Sequence, residues 1–538
     1  MTPIVTPGPP PIFLEIDQAM RAGKMDRAMA LACQALGSGY ADPVLFSLRS
    51  HWHEGQGRVE AALADLERVR SMGPPNARTL AAAGRCLTKL GRLEEARQVL
   101  DEAVTLAPGL AVAQYERGFA LDQMGELVAA RQSYQHAMAL DPSLADAPAR
   151  LAALAARRSD WPQARDLAAK ALALQPENAV AHFALIMVAM ASDDFSAAEQ
   201  RARQVAQSSL TTDQARAHAL TFLADALDAQ DRPDEAFAAY DAANRSLRHL
   251  FASRFESQET GLPFALRMTD ELEKTGGREG WAPAPPAAGP TPAFVLGFAR
   301  AGTTLLGQIL DSHPQFVTLE EKPLLLEGMR DFLAAPGGIA RLAALSDVQF
   351  EPYRTLYWRH VGEHGGDIAD RIVVDQTPLN TLHLALIARL FPGAPIVFAV
   401  RDPRDVVLSC FRRQFVINPY TFEFLSLDRT ARFYDATMRY ALLARERLPL
   451  RFHDLRNEDL VADFDGQIRA LCAFLGLAFD PAMARFAERS KSRSVATPSA
   501  IQVARGLSRE GIGQWRRYEA QLKAVLPLLA PWVRHFGY

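Results

Sequence analysis

The sequence predicts an α-helical solenoid followed by an α/β domain built on a parallel sheet. Two observations carry that expectation. In the first half, alanines stand at Ala28, Ala62, Ala96, Ala130, Ala164 and Ala198, each 34 residues after the last. Beyond a stretch rich in proline, glycine and alanine at 275–291, short β-branched and aromatic runs alternate with helical ones. That alternation is the pattern of strands covered on both faces by crossover helices. A length of 538 residues also suits two or three domains better than one core.

The repeat involves more than alanine. Pro108, Pro142 and Pro176 keep the same step, as do Gly84 and Gly118, with Ala152 next in that series. Each unit holds two amphipathic stretches with apolar residues at i, i+3, i+4 and i+7, so each reads as a helical hairpin. Gly84 and Ala96 fall where two helices must approach closely. The proline marks the turn into the next unit, because it cannot continue the preceding helix. One hairpin cannot bury its own apolar face, so the units must stack. The pattern resembles the tetratricopeptide repeat over residues 13–208. A further helix pair at 210–251 carries Ala236 off the 34-residue step. The solenoid is therefore expected over 13–254, and the likeness implies a groove that takes a peptide or protein.

Composition narrows the classes. A net charge of −3 gives no reason to expect a nucleic-acid partner, so any anion site must be built locally. Cys33, Cys86, Cys410 and Cys472 are scattered, with none in a C-x-x-C pair. They read as free thiols rather than disulfides or zinc ligands. No apolar run approaches the ~20 residues of a membrane helix, so no integral membrane segment is expected. The proline-rich start at 1–11 has neither the basic nor the apolar region of a signal peptide, and a cytoplasmic protein is expected.

Two segments carry chemistry. In PAFVLGFARAGTTLLGQILDSHP a short strand runs into Gly297-Phe298-Ala299-Arg300-Ala301-Gly302-Thr303-Thr304, and a helix follows. Strand, glycine-bounded loop and helix start is the arrangement that turns backbone amides and a helix dipole toward a phosphate. Thr303 stands where a nucleotide P-loop has the lysine that reaches the β- and γ-phosphates, which disfavours ATP or GTP. Arg300 offers a planar charge instead. In PIVFAVRDPRDVVLSCFRRQF a strand delivers Arg401. A helix starting near Pro403 would put Ser409 two turns on, where it and Arg401 could clamp a second phosphate.

Together these segments resemble the 5′-phosphosulfate and 3′-phosphate motifs of sulfotransferases that use 3′-phosphoadenosine 5′-phosphosulfate (PAPS). The likeness runs over 294–538 and is closest to bacterial proteins joining tetratricopeptide repeats to a sulfotransferase domain and to protein-tyrosine sulfotransferases. It implies a sulfotransferase domain at 292–538 after a linker at 275–291. It also implies PAPS as donor, adenosine 3′,5′-bisphosphate as product, and no metal. Ala301, Gly302, Thr303, Thr304, Arg401, Ser409 and Ser499 would bind the donor, and Arg300 would act on the transferring group. The family's catalytic base falls 21 residues after the loop arginine, on Glu321, with Glu320 as its neighbouring competitor. Three positions depart from the family: Gln376 replaces a lysine, Asn457 an aromatic and Gln514 a basic residue. Arg505, Arg509, Arg516 and Arg517 are candidates to compensate. His313, His383, Phe411 and Phe415 read as packing residues. Two other readings remain, a P-loop kinase of a small hydroxyl compound and a non-catalytic repeat adaptor with a degenerate domain.

Overall fold

The computed structural model describes residues 11–255, 257–275, 281, 290–366, 368, 371–488 and 506–538. Most of the expected linker, Ser499, Arg505 and nearly all of the proline-rich start lie outside the described residues. The chain divides into two compact units, Met1–Arg201 and Ala202–Tyr538.

The first unit is a succession of helices, most of them 12–14 residues long, and those from Pro11–Arg21 to Ala179–Ala191 each pair with the next. The 34-residue step has a direct packing meaning. Ala28, Ala62, Ala96, Ala130, Ala164 and Ala198 are all fully buried. At Gly84 a Cβ would lie 2.4 Å from Leu100 Cγ, and at Gly118 one would lie 2.8 Å from Tyr134 Cδ1. Both glycines are thus seats for a large side chain of the paired helix. Helix starts are capped: Asn76 Oδ1 accepts from the Arg78 amide at 2.9 Å and Asn178 Oδ1 from the Ala181 amide at 3.1 Å. Arg85 links neighbouring repeats, donating to Glu54 at 2.7 Å and to Glu116 at 3.2 Å.

The second unit begins with a long helical hairpin, Asp213–Ala229 and Pro233–Phe255, and a helix at Gly261–Lys274. The expected solenoid limit at 254 therefore falls inside this unit, which also holds the sheet. The five strands are β1 (Ala293–Gly297), β2 (Phe316–Glu320), β3 (Ile372–Gln376), β4 (Pro395–Val400) and β5 (Arg451–Arg456). All pair in parallel in the order β2-β3-β1-β4-β5. Every residue of β1 is buried, as a central strand covered on both faces must be. The chain leaves β1 toward β2 on one side and later crosses to β4 on the other. That reversal opens a crevice at the carboxyl ends of the strands beside β1, where ligands bind in such sheets. Among the described residues, no helix is long and apolar enough to cross a membrane.

Candidate functional site

The loop after β1 is held from below and from the side. Phe298 is buried against Phe433 and Tyr434, with ring centroids 5.3 and 5.1 Å apart. The Gly297 amide donates to Thr381 Oγ1 at 3.0 Å, and the Thr381 hydroxyl donates back to the Gly297 carbonyl at 2.7 Å. Gly297 has φ +152°, and a Cβ there would lie 2.7 Å from the Ala399 carbonyl oxygen on β4. Gly302 caps the following helix, Thr303–Asp311, at φ +107°. A left-handed conformation at that position favours glycine. The first amides of a helix have no acceptor within it and are free to meet an anion.

Arg300 also takes a positive φ, +69°, unusual for a side-chain-bearing residue. Its Nε donates to Ser409 Oγ at 3.0 Å. Ser409 lies on the helix Pro403–Arg412, which starts where the sequence places it. Arg401 Nη1 donates to the Arg300 carbonyl at 3.1 Å, and Nη2 donates to the Gly511 carbonyl. Its Nε is buried with no hydrogen-bond partner. Arg300, Ser409 and Arg401 are thus joined in one hydrogen-bonded group. Burial, then the nearby charges of Arg413 and Arg401, draw the Arg300 guanidinium down to about 10. A half-buried cation pressed by two others is stabilised by an anion.

The far side of the crevice belongs to β2 and β3. Gln376 pairs in register with Val295 of β1 and with Glu320 of β2, so Glu321 stands one residue beyond that row, level with the end of β1. Two strand spacings put its backbone about 10 Å from that of β1. Its amide donates to the Gln376 carbonyl at 2.9 Å and its φ is +50°. The Glu321 side chain is solvent-accessible, yet burial raises its carboxyl above the ordinary range. Gln376 is fully buried, and neither its Oε1 nor its Nε2 has a hydrogen-bond partner. It occupies the space that a Cβ at Gly307 would need, 1.9 Å from its Oε1. Asn457, after β5, lies against the loop, its Oδ1 3.0 Å from where a Gly302 Cβ would be. Gln514 is turned to the Glu510 carbonyl at 2.6 Å.

His383 is fully buried beside Asn380 and Tyr420, and burial lowers its pKa to about 4, which suits a neutral packing role. His313 bonds the Ala478 carbonyl at 3.1 Å. The sequence pattern does not point to Thr381 or Arg413. A threonine after a proline-led turn and an arginine at a helix end carry no distinctive spacing.

Residues 292–481 match the sulfotransferase family model, and residues 54–115 match the tetratricopeptide repeat. The segment 292–481 is a sulfotransferase-family domain. An uncharacterized protein of Aquifex aeolicus is 27% identical over 256 residues, 44% of this chain. This chain spans about a third of that protein's length, 32%. Protein-tyrosine sulfotransferase 1 of Danio rerio is 24% identical over 259 residues, 46% of this chain and 71% of that one. Omega-hydroxy-beta-dihydromenaquinone-9 sulfotransferase Stf3 of Mycobacterium bovis is 32% identical over 114 residues, 20% of this chain and 29% of that one. The sulfotransferase domain therefore has relatives whose names give unlike acceptors, a protein tyrosine and an omega-hydroxy-beta-dihydromenaquinone-9.

Proposed function

We propose that this chain transfers a sulfuryl group from PAPS to a hydroxyl of a peptide or protein held by the repeats. The observation that carries the reading is the group formed by Arg300, Ser409 and Arg401 at the mouth of the β1 loop, with the Arg300 guanidinium drawn down by burial and then by its cationic neighbours. The fit to a donor with phosphates at two ends is good on this chain's own atoms. Arg401 Nε is buried and unpartnered, and the helix at Thr303 presents its first amides. When bound, PAPS supplies an activated sulfuryl group on a phosphate leaving group.

In this reading Ala301, Gly302, Thr303 and Thr304 cradle the 5′-phosphosulfate through backbone amides. Arg300 stabilises charge on the transferring group. Arg401 and Ser409 hold the 3′-phosphate, and Ser499 is a further nucleotide contact by resemblance. The Glu321 carboxylate takes the acceptor proton, a role its raised carboxyl suits. The identity of the acceptor rests on the repeats alone, whose known use is to hold peptides or proteins.

A second reading, a non-catalytic adaptor, is favoured by Gln376, whose buried amide has no partner where the family has a lysine. Calorimetric titration with adenosine 3′,5′-bisphosphate and with ATP tests both readings. Binding of the bisphosphate and not of ATP is the expected result. Binding of ATP alone would point to a P-loop kinase, and binding of neither to an adaptor.

A further inference from the structure

The helix that carries Ser409 ends at Arg412, and a helix end leaves carbonyls without partners. Here the end is gripped by the hairpin Asp213–Phe255, a region the sequence assigns to the repeats. Asn244, itself buried, donates to the Phe411 carbonyl at 2.8 Å. Arg412 is bonded to Asp228. Arg413 Nη1 lies 3.5 Å from Asp225 Oδ2. Gln414 donates to Thr221 Oγ1 at 2.7 Å. Phe237 stacks on Phe411 with centroids 5.2 Å apart. Four consecutive residues, 411–414, are each held by this hairpin.

Asp228 serves a second segment as well. It accepts from the Tyr518 hydroxyl at 2.6 Å and pairs with Arg517 at 2.8 Å. That segment also supplies the Gly511 carbonyl to Arg401. One carboxylate thus ties together the helix bearing Ser409 and the stretch that braces Arg401. Asp225 is itself fixed, accepting from the buried Tyr240 hydroxyl at 2.5 Å.

We infer that Asp225 and Asp228 are positioning residues of the transfer site, which hold Ser409 and Arg413 against Arg300. The helical hairpin 213–255 is then a working part of the transferase rather than of the peptide-binding surface. The inference rests on the PAPS reading for its ligand, but the clamp itself is a property of the protein alone.

The test uses the full chain and four variants: Asp228→Asn, Asp225→Asn, Asp225→Glu and, as a control on the same hairpin, the exposed Glu235→Gln. Adenosine 3′,5′-bisphosphate affinity is measured by calorimetry, with melting temperature alongside. Amide exchange is followed over 409–414 and 511–518. Asp228→Asn is expected to weaken binding roughly tenfold, since it strips the charge from a half-buried multiply bonded carboxylate. Exchange should quicken in those two segments and not over 77–106. Asp225→Asn should weaken binding about threefold, with Asp225→Glu restoring part of it and Glu235→Gln changing nothing. Unchanged affinity in Asp228→Asn overturns the inference. So does tighter binding in Asp225→Asn, which would mean that Asp225 only neutralises Arg413. If the wild type binds no bisphosphate, the donor reading fails. The exchange data then decide the clamp, which falls if 409–414 is unaltered in Asp228→Asn.

Discussion

The two units bury their cores by opposite strategies. In the first, one small residue recurs at one depth: six alanines, 34 apart, all fully buried. In the second, the core around the loop after β1 is assembled once, from large residues of unlike sequence origin, such as Phe298 against Phe424, Phe433 and Tyr434. A repeat shares its tolerances among equivalent seats. A site does not, because each of its residues has one task. The two regions should therefore respond to substitution in different currencies: the site in turnover and binding, the repeats in local stability.

The largest effect is expected at Glu321. Glu321→Gln keeps the shape and removes the proposed base, so turnover should fall by about 10²–10⁴-fold while donor affinity stays near wild type. The acid limb of the rate profile should also lie above the ordinary carboxylate range. Burial raises this carboxyl, and the base works only when ionised, so activity is lost as pH falls through the raised value. A variant with near-normal kcat would remove Glu321 from the mechanism.

Asp375 comes next and tests the sheet itself. It is fully buried on β3, where burial raises its carboxyl to about 7 against the weaker opposing bonds from Thr377 and Tyr357. The folded state therefore holds a proton that the unfolded chain releases near pH 4. Stability should decline as pH rises from about 4 to 7, by up to about 4 kcal/mol. Asp375→Asn should remove that slope. Denaturant melts of both proteins at pH 5 and pH 8 would show it, and parallel pH dependence would refute it.

Arg401→Ala should weaken adenosine 3′,5′-bisphosphate binding by ~2–3 kcal/mol, as loss of a charge-assisted contact does. Arg401 also bonds the Arg300 and Gly511 carbonyls. Part of that loss would therefore reflect a loosened loop, and Arg401→Lys should recover little, since lysine lacks the planar fork.

What the sequence revealed follows the same division. The solenoid was legible because equivalent seats repeat, and the loop after β1 because the run from Gly297 to Thr304 is continuous in the sequence. The bond between Arg300 and Ser409, 109 residues apart, was not legible, since the sequence set Ser409 beside Arg401 instead. The clamp on Arg412 by Asp228, 184 residues away, was not legible at all, since one aspartate on a polar helix face looks like any solvated carboxylate. Ala236 gave a partial signal. It stands off the 34-residue step, and its helix pair lies in the unit that holds the sheet. The unpartnered amide of Gln376 could not be read either, because satisfaction of a buried group depends on neighbours brought by three strands and a helix.

The smallest effect sharpens the contrast from the repeat side. Gly84→Ala adds one methyl that would sit 2.4 Å from Leu100 Cγ, 2.6 Å from Cδ2 and 2.9 Å from Cδ1. The obstruction is wholly side chain, so Leu100 can turn only by disturbing the packing around it, and Leu100 is fully buried. Overpacking of this kind costs about 1–3 kcal/mol, offset by up to about 1 kcal/mol because alanine favours a helix over glycine. The net should be a small destabilisation, relieved when Leu100→Val or Leu100→Ala is added, since the smaller side chain vacates the seat. If the double variant is no more stable than Leu100→Ala alone, the glycine is not there for Leu100. If a repeat unit behaves as an independent seat, amide exchange should quicken around 77–106 and stay unaltered over 409–414, the reverse of the pattern expected for Asp228→Asn.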